Sequence, residues 1–415
     1  MRCFSGFSSS VLCVVSSLLA PNSLAQLTGD IVVTSSNGLV NYVQRYSIQS
    51  GSFSTLAVYP SVTADLYPTS VEMDSDNLSY LVFSRGAVLR VTVLGQVSTL
   101  FVAPSNSQFG RGVLHPTGDV VLLEQRTGSS PALYRYSRLG QRLSTIFVDP
   151  TILQLHSIDT DTGDYLVTRG VRELIRVSEG GAAIPLTGQL GPFVGGATRD
   201  VRRGDYVVGV NVGWGTGWLG RLSDNGSITT LKANWNFVGN IQIDNSSNEI
   251  VGPVYPPVQN SWAGLGRFRA DGTTVYAFAS PWPGINIAAC VIDQQATLSG
   301  FGTTAPGGTY GLSLSLLQRA GQAYLLGCSF SIRPGISLGN LWIPLSVDPL
   351  LLASLSTPSV FEGFSGTLDS LGRGNGRIRI PQAPSLIGVR VFVSGITIGS
   401  SGVSNVLSVV AFTIR

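Results

Sequence analysis

Histidine is the side chain that most readily moves protons near neutral pH, and this chain has two, His115 and His156. They stand in Leu114-His115-Pro116-Thr117-Gly118-Asp119 and Leu155-His156-Ser157-Ile158-Asp159, at equivalent approaches to successive repeats. Facing a channel, they would suit a lyase or a metal-dependent hydrolase. No third ligand or orienting carboxylate is specified beside either one, so His115 is read as a turn residue and His156 as a strand-end residue. Asp159, Asp161 and Asp164, in Asp159-Thr160-Asp161-Thr162-Gly163-Asp164, are oxygen-rich candidates for calcium, but the closing bidentate Glu of a calcium loop is missing. Other repeats place Asp74-Ser75-Asp76-Asn77, Pro116-Thr117-Gly118-Asp119 and Arg202-Arg203-Gly204-Asp205 at the same point. They share turn character and no ligand set, so a hairpin turn is preferred and no cofactor is required. A single Gly-x-Ser-x-Gly match, Gly335 to Gly339 around Ser337, has no His after it and no strand-turn-helix context, so no catalytic residue is assigned.

Arg90, Arg135, Arg176, Arg221 and Arg267 recur in phase. Repetition in successive units points to one structural role, a guanidinium tied to a neighbouring turn or carboxylate; a cationic ring for an anionic polymer is the alternative. Five of the six tryptophans fall between residues 206 and 282. Trp214, Trp218 and Trp262 are the binding candidates, because glycine-flanked indoles in loops can stack on sugar rings or anchor a protein.

The elements that position these residues repeat too. Gly29-Asp30-Ile31-Val32-Val33 is answered by Ser79-Tyr80-Leu81-Val82-Phe83, Gly118-Asp119-Val120-Val121-Leu122, Gly163-Asp164-Tyr165-Leu166-Val167, Gly204-Asp205-Tyr206-Val207-Val208 and Asn248-Glu249-Ile250-Val251. A second element such as Glu173-Leu174-Ile175-Arg176-Val177 follows each later anchor, then another strand, so each period holds a four-stranded antiparallel sheet. The expected fold is all-β: a six-bladed β-propeller over residues 26–296, then a β-sandwich over 297–415. A seventh blade follows if residues 281–300 and the first repeat form separate sheets. The first repeat lacks room for an innermost strand, so residues around Ile285 to Ile292 are expected to close the ring.

The anchors and the Leu-x-Arg-hydrophobic element make residues 26–296 resemble secreted bacterial β-propellers with degenerate repeats of the kelch, NHL or lactonase type. That resemblance implies the architecture and transfers no site. The tail, with Val389-Arg390-Val391-Phe392-Val393, is similar to C-terminal β-domains on secreted proteins of planctomycete-type bacteria, which implies secretion and modularity.

Residues 1–25 read as a signal peptide, with Arg2, an apolar run from Val11 to Ala20 and Ser23-Leu24-Ala25 before Gln26. No transmembrane segment is expected. Cleavage leaves Cys290 and Cys328, either one disulfide or two buried thiols. A net charge of +3 with 12% charged residues disfavours nucleic acid. The leading function is a secreted noncatalytic protein binding a protein or polysaccharide, or a structural subunit of an extracellular matrix, oligomer or filament. The alternative is a carbohydrate- or lactone-active hydrolase or lyase using channel carboxylates.

Overall fold

Short runs such as Tyr80-Leu81-Val82-Phe83 are apolar at every position, which suits a strand buried on both faces. In the computed structural model the strand Ser79–Ser84 is buried throughout its length, as is Ile31–Ser36. The structure describes residues 30–415 except 38, 48–49, 61–67, 75–78, 160–161, 171, 188–189, 192, 213–215, 238, 245–247, 256–263, 279–285, 293–296, 317–318, 339–340 and 401. The predicted signal peptide lies outside the described residues. The chain divides into two compact units, one ending at Gln295 and the other comprising Ala296–Arg415.

The first unit is all-β and propeller-like. Among its described residues are six antiparallel sheets of four or five strands. The first sheet joins the two ends of the unit: strand Asn286–Ile292 pairs with Ile31–Ser36, which continues into Val40–Ser47 and Ser52–Pro60. The second to sixth sheets follow in order over residues 68–102, 107–148, 152–187, 193–233 and 236–278. Their first strands touch in succession, Asn286–Ile292 against Pro68–Met73, then Ser107–Leu114, Ile152–Ile158 and Phe193–Asp200. Gln242–Asp244 of the sixth sheet touches Asn286–Ile292 again, so the sequence of contacts returns to its start.

Neighbouring sheets share their apolar cores. Val32 and Val43 of the first sheet pack with Val71, Tyr80 and Val82 of the second, and Val121 and Leu133 of the third with Tyr165 and Val167 of the fourth. The outermost strand of every sheet carries a register shift. In five sheets the extra residue is Leu56, Leu100, Ile146, Leu186 or Leu231, an aliphatic side chain turned at least partly inward. These bulges twist and interrupt edges that would otherwise be free to pair with other chains.

The second unit has two sheets sharing one core. Thr297–Gly302, Thr309–Ser315, Arg373–Arg379 and Phe361–Glu362 form one sheet; Ser365–Thr367, Ala323–Ser329, Arg390–Gly399 and Gly402–Val406 form the other, with Val410–Thr413 also on Arg390–Gly399. Leu312, Leu314 and Ile378 from the first meet Leu326, Cys328 and Val393 from the second in one buried cluster. The helix Pro349–Ser356 has the Asp348 side chain accepting from Leu351 N–H at its N-terminus. Ser337 lies in a short hairpin strand paired with Leu341–Ile343.

Candidate functional site

Each sheet of the first unit carries one row of equivalent residues running outward from its first strand. On the second strands the row holds Val32, Leu81, Val121, Leu166, Val207 and Val251, and on the third strands their partners are Arg45, Arg90, Arg135, Arg176, Arg221 and Arg267. The sixth arginine, Arg45, stands in Val43-Gln44-Arg45-Tyr46 of the first repeat and joins the set only through its register with Val32. Every one of these arginines has a structural partner. Arg135 binds Asp119 at 2.7 Å and Glu179 at 2.8 Å, Arg176 binds Asp164 at 2.9 Å, and Arg221 binds Asp200 at 2.7 Å and Asp205 at 2.6 Å. Arg90 donates to Ser79 at 2.8 Å beside Asp74, and Arg267 pairs with Glu249. Arg45 and Arg176 donate to the tyrosine hydroxyls of the following sheets, Tyr80 and Tyr206, while Arg221 reaches the Ala270 carbonyl of the sixth. The arginines fasten turns and sheets together, as their phase implied.

The same pairing accounts for the aspartate cluster. Asp159 is wholly buried, accepts from the Tyr206 hydroxyl at 2.9 Å and lies 3.9 Å from both Arg176 and Arg199. Asp164 belongs to Arg176, and the backbone closes a turn through Asp159 N–H to Asp164 O at 2.7 Å. Asp159 and Asp164 thus both face arginine side chains, and Asp161 lies outside the described residues. Among the described residues no group of three His, Cys, Asp or Glu side chains is arranged to hold a metal.

The inner ends of the rows meet at a cavity. Opposite the second-strand residues stand Glu72, Val113, Ser157, Thr198 and Gln242 on the first strands, with Val291 at the sixth register position. The five described ones line a cavity of about 210 Å³, together with Leu114, Ile158, Arg199, Val201 and Ile243. Arg199 is neutralised by a two-pronged contact to Asp224 at 2.8 and 3.3 Å and lies over the Tyr206 ring at 4.4 Å. Glu72 has no hydrogen-bond or ion-pair partner among the described residues, and burial pushes its carboxyl up to about 8. The lining thus offers one carboxyl that holds its proton near neutrality, the paired Arg199 guanidinium, neutral hydrogen-bonding groups and aliphatic side chains. Aligning the repeats on their anchors would have exposed Glu72, the acidic exception at a repeated position.

His156 is buried beside this layer and does not line the cavity. Arg111, which only donates, faces its Nδ1 at 3.3 Å and also donates to Gly195 O at 2.7 Å; Nε2 lies 2.6 Å from the Thr168 hydroxyl. The proton therefore sits on Nε2, and burial with the nearby Arg111 charge holds the imidazole pKa well below its ordinary value. Arg111 is itself lowered to about 10 by burial. This pair ties the third, fourth and fifth sheets and leaves no ring nitrogen free. His115 occupies the expected turn, its Nδ1 2.7 Å from the Thr117 hydroxyl.

Trp218 is not in an open loop. It begins strand Trp218–Leu222, is half-buried against the core of the fourth and fifth sheets, and its ring covers Gly220, where a Cβ would come within 2.6 Å. A glycine two residues on, on the same face, makes the space that draws the indole inward. Trp214 and Trp262 lie outside the described residues. Cys328 is a free thiol buried in the core of the second unit, with its pKa raised by burial and by nearby Asp348, so the disulfide alternative fails at this residue; the Cys290 side chain lies outside the described residues.

No protein-family model and no curated protein matches the chain. Solved structures do. TolB from Acinetobacter baumannii superposes with a TM-score of 0.51 at 14% identity, over 64% of this chain and 67% of that one. A protein of unknown function from Bacteroides caccae matches at a TM-score of 0.48 and 14% identity, over 63% and 98% of the two chains. Virginiamycin B lyase from Staphylococcus aureus matches at 0.39 and 15%, over 63% and 87%. The likeness to TolB shows a shared propeller-like fold and no activity; the other two are too loose to carry an argument.

Proposed function

We propose that this is a secreted, noncatalytic binding protein built from a six-bladed propeller, closed by strand Asn286–Ile292, and a C-terminal β-sandwich. The observation that carries this reading is the fate of the recurrent charges. All six phased arginines hold turns and neighbouring sheets, leaving Glu72 as the one described carboxyl lining the cavity. Carboxylate-dependent glycoside hydrolysis uses two such groups flanking the scissile bond. The cavity, about 210 Å³ and lined half by polar and half by aliphatic side chains, supplies no second carboxyl for that chemistry among the described residues. The bulged outer edges favour contact through faces over strand-to-strand filament growth. Among the described residues no helix is long and apolar enough to cross a membrane.

The test is to purify the protein from a secreting host, sequence its N-terminus and incubate it with lactones and with neutral and acidic polysaccharides. Cleavage before Gln26 and no turnover above that of Glu72→Gln are expected. Turnover that disappears in Glu72→Gln would replace this reading with the hydrolase one.

A further inference from the structure

The strand Arg373–Arg379 alternates without a break, with Arg373, Asn375, Arg377 and Arg379 exposed and Gly374, Gly376 and Ile378 buried. Packing dictates the buried set. A Cβ at residue 374 would come within 2.8 Å of Tyr324, and one at 376 within 3.0 Å of Leu326. Nothing in the core requires arginine at the outward positions.

On the same outer face, Arg377 pairs with Gly311, which pairs with Phe301 on the next strand. Phe301 is 59% exposed, yet its ring is seated on the sheet: a Cβ at Gly311 would lie 2.4 Å from the ring edge. The glycine therefore supports an aromatic plate about two strand spacings, or ~10 Å, from the arginine column. Arg377 and Arg379 share Glu362, Arg377 at 3.6 Å. The Arg373 guanidinium has no hydrogen-bond or ion-pair partner among the described residues. Three guanidiniums stand against Glu362 and against Asp369, whose carboxylate accepts from the Arg373 N–H at 2.8 Å, and still leave this open face positive.

We propose that this face binds an acidic polysaccharide, a linear sugar polymer carrying carboxylates or sulfates. A sugar ring stacks on Phe301 while the guanidiniums take the anionic groups in paired hydrogen bonds. The side chains of Arg377 and Arg379 repeat at about 7 Å along the strand, which suits an extended polymer lying across the face. The proposal names a partner class for the noncatalytic reading above and rests on it.

Electrophoresis of the full chain through native gels containing polygalacturonate, neutral dextran or double-stranded DNA tests it. Retardation by polygalacturonate alone is expected. Replacing Arg373, Arg377 and Arg379 together by Ser should weaken it about ten-fold or more, Phe301→Ala should weaken it several-fold, and Glu362→Gln, which frees two guanidiniums, should strengthen it. Equal retardation of the triple variant, equal retardation by dextran, or DNA bound as tightly as polygalacturonate would overturn the proposal. A gain in Glu362→Gln needs a folded protein, so misfolding cannot imitate it. Turnover lost in Glu72→Gln would sink the noncatalytic reading and leave the gel result standing; a failed gel result would leave the turnover assays untouched.

Discussion

Burial decides what each ion pair is worth. The Arg221 side chain is 7% exposed and its partner Asp200 1%, whereas Arg90 is 39% exposed. Arg221→Met strands a buried carboxylate and should cost about 3–5 kcal/mol; Arg90→Met should cost no more than about 1 kcal/mol. Thermal unfolding of the two variants checks the ranking. Glu72 makes a prediction of opposite sign. Its carboxyl titrates ordinarily at 4.5 and at about 8 in the fold, so between those values the unfolded chain releases a proton that the folded chain keeps. Stability contributed at this site therefore falls as pH rises. Glu72→Gln should unfold at the same temperature as the parent near pH 4 and at a higher one by pH 8, the gap opening between. For His156, nitrogen NMR should find a neutral Nε2–H ring at pH 5.5, because Arg111 opposes its second proton. These roles were half legible. The phased arginines announced a common task, while the partners of His156 lie 12 and 45 residues away in the chain, beyond any local pattern.

At the scale of the strand and turn, the repeat works as a clasp between sheets. The turn before each outer strand holds a glycine in the left-handed region, and in several sheets it presses on the bulged residue of the preceding sheet. A Cβ at Gly181 would lie 2.6 Å from Ile146 O, and one at Gly272 would lie 2.3 Å from Leu231 O. Gly128 has a similar φ of +77° but nothing within 4 Å. Gly128→Ala should then cost only the left-handed penalty, about 1–2 kcal/mol, and Gly272→Ala clearly more, since backbone must move as well. Urea unfolding of both variants measures the difference. The anchors and hairpins were readable because apolar alternation and Gly or Asp turns are local signals. The seating of Trp218 was not, since an indole beside glycines reads equally as a loop plate or as a strand residue filling the gap those glycines leave.

Across the molecule, the first unit is joined end to end by pairing Ile31 with Ile292 through Ser36 with Asn286. A chain ending at residue 280 leaves the edge of Ile31–Ser36 open and should aggregate, whereas one ending at residue 295 should unfold cooperatively; light scattering with calorimetry separates the two outcomes. Sequence alone was enough for the all-β class, the repeat and its phase, and the strand that joins the two ends, because periodicity and turn chemistry act over a few residues. Only the tertiary structure decided which charges are neutralised, that Glu72 is the one described carboxyl lining the cavity, that Cys328 is a free core thiol, and that Phe301 shares an open face with three arginines. Those facts depend on which strands lie side by side, and side chains far apart in the chain acquire their chemistry from neighbours that folding alone supplies.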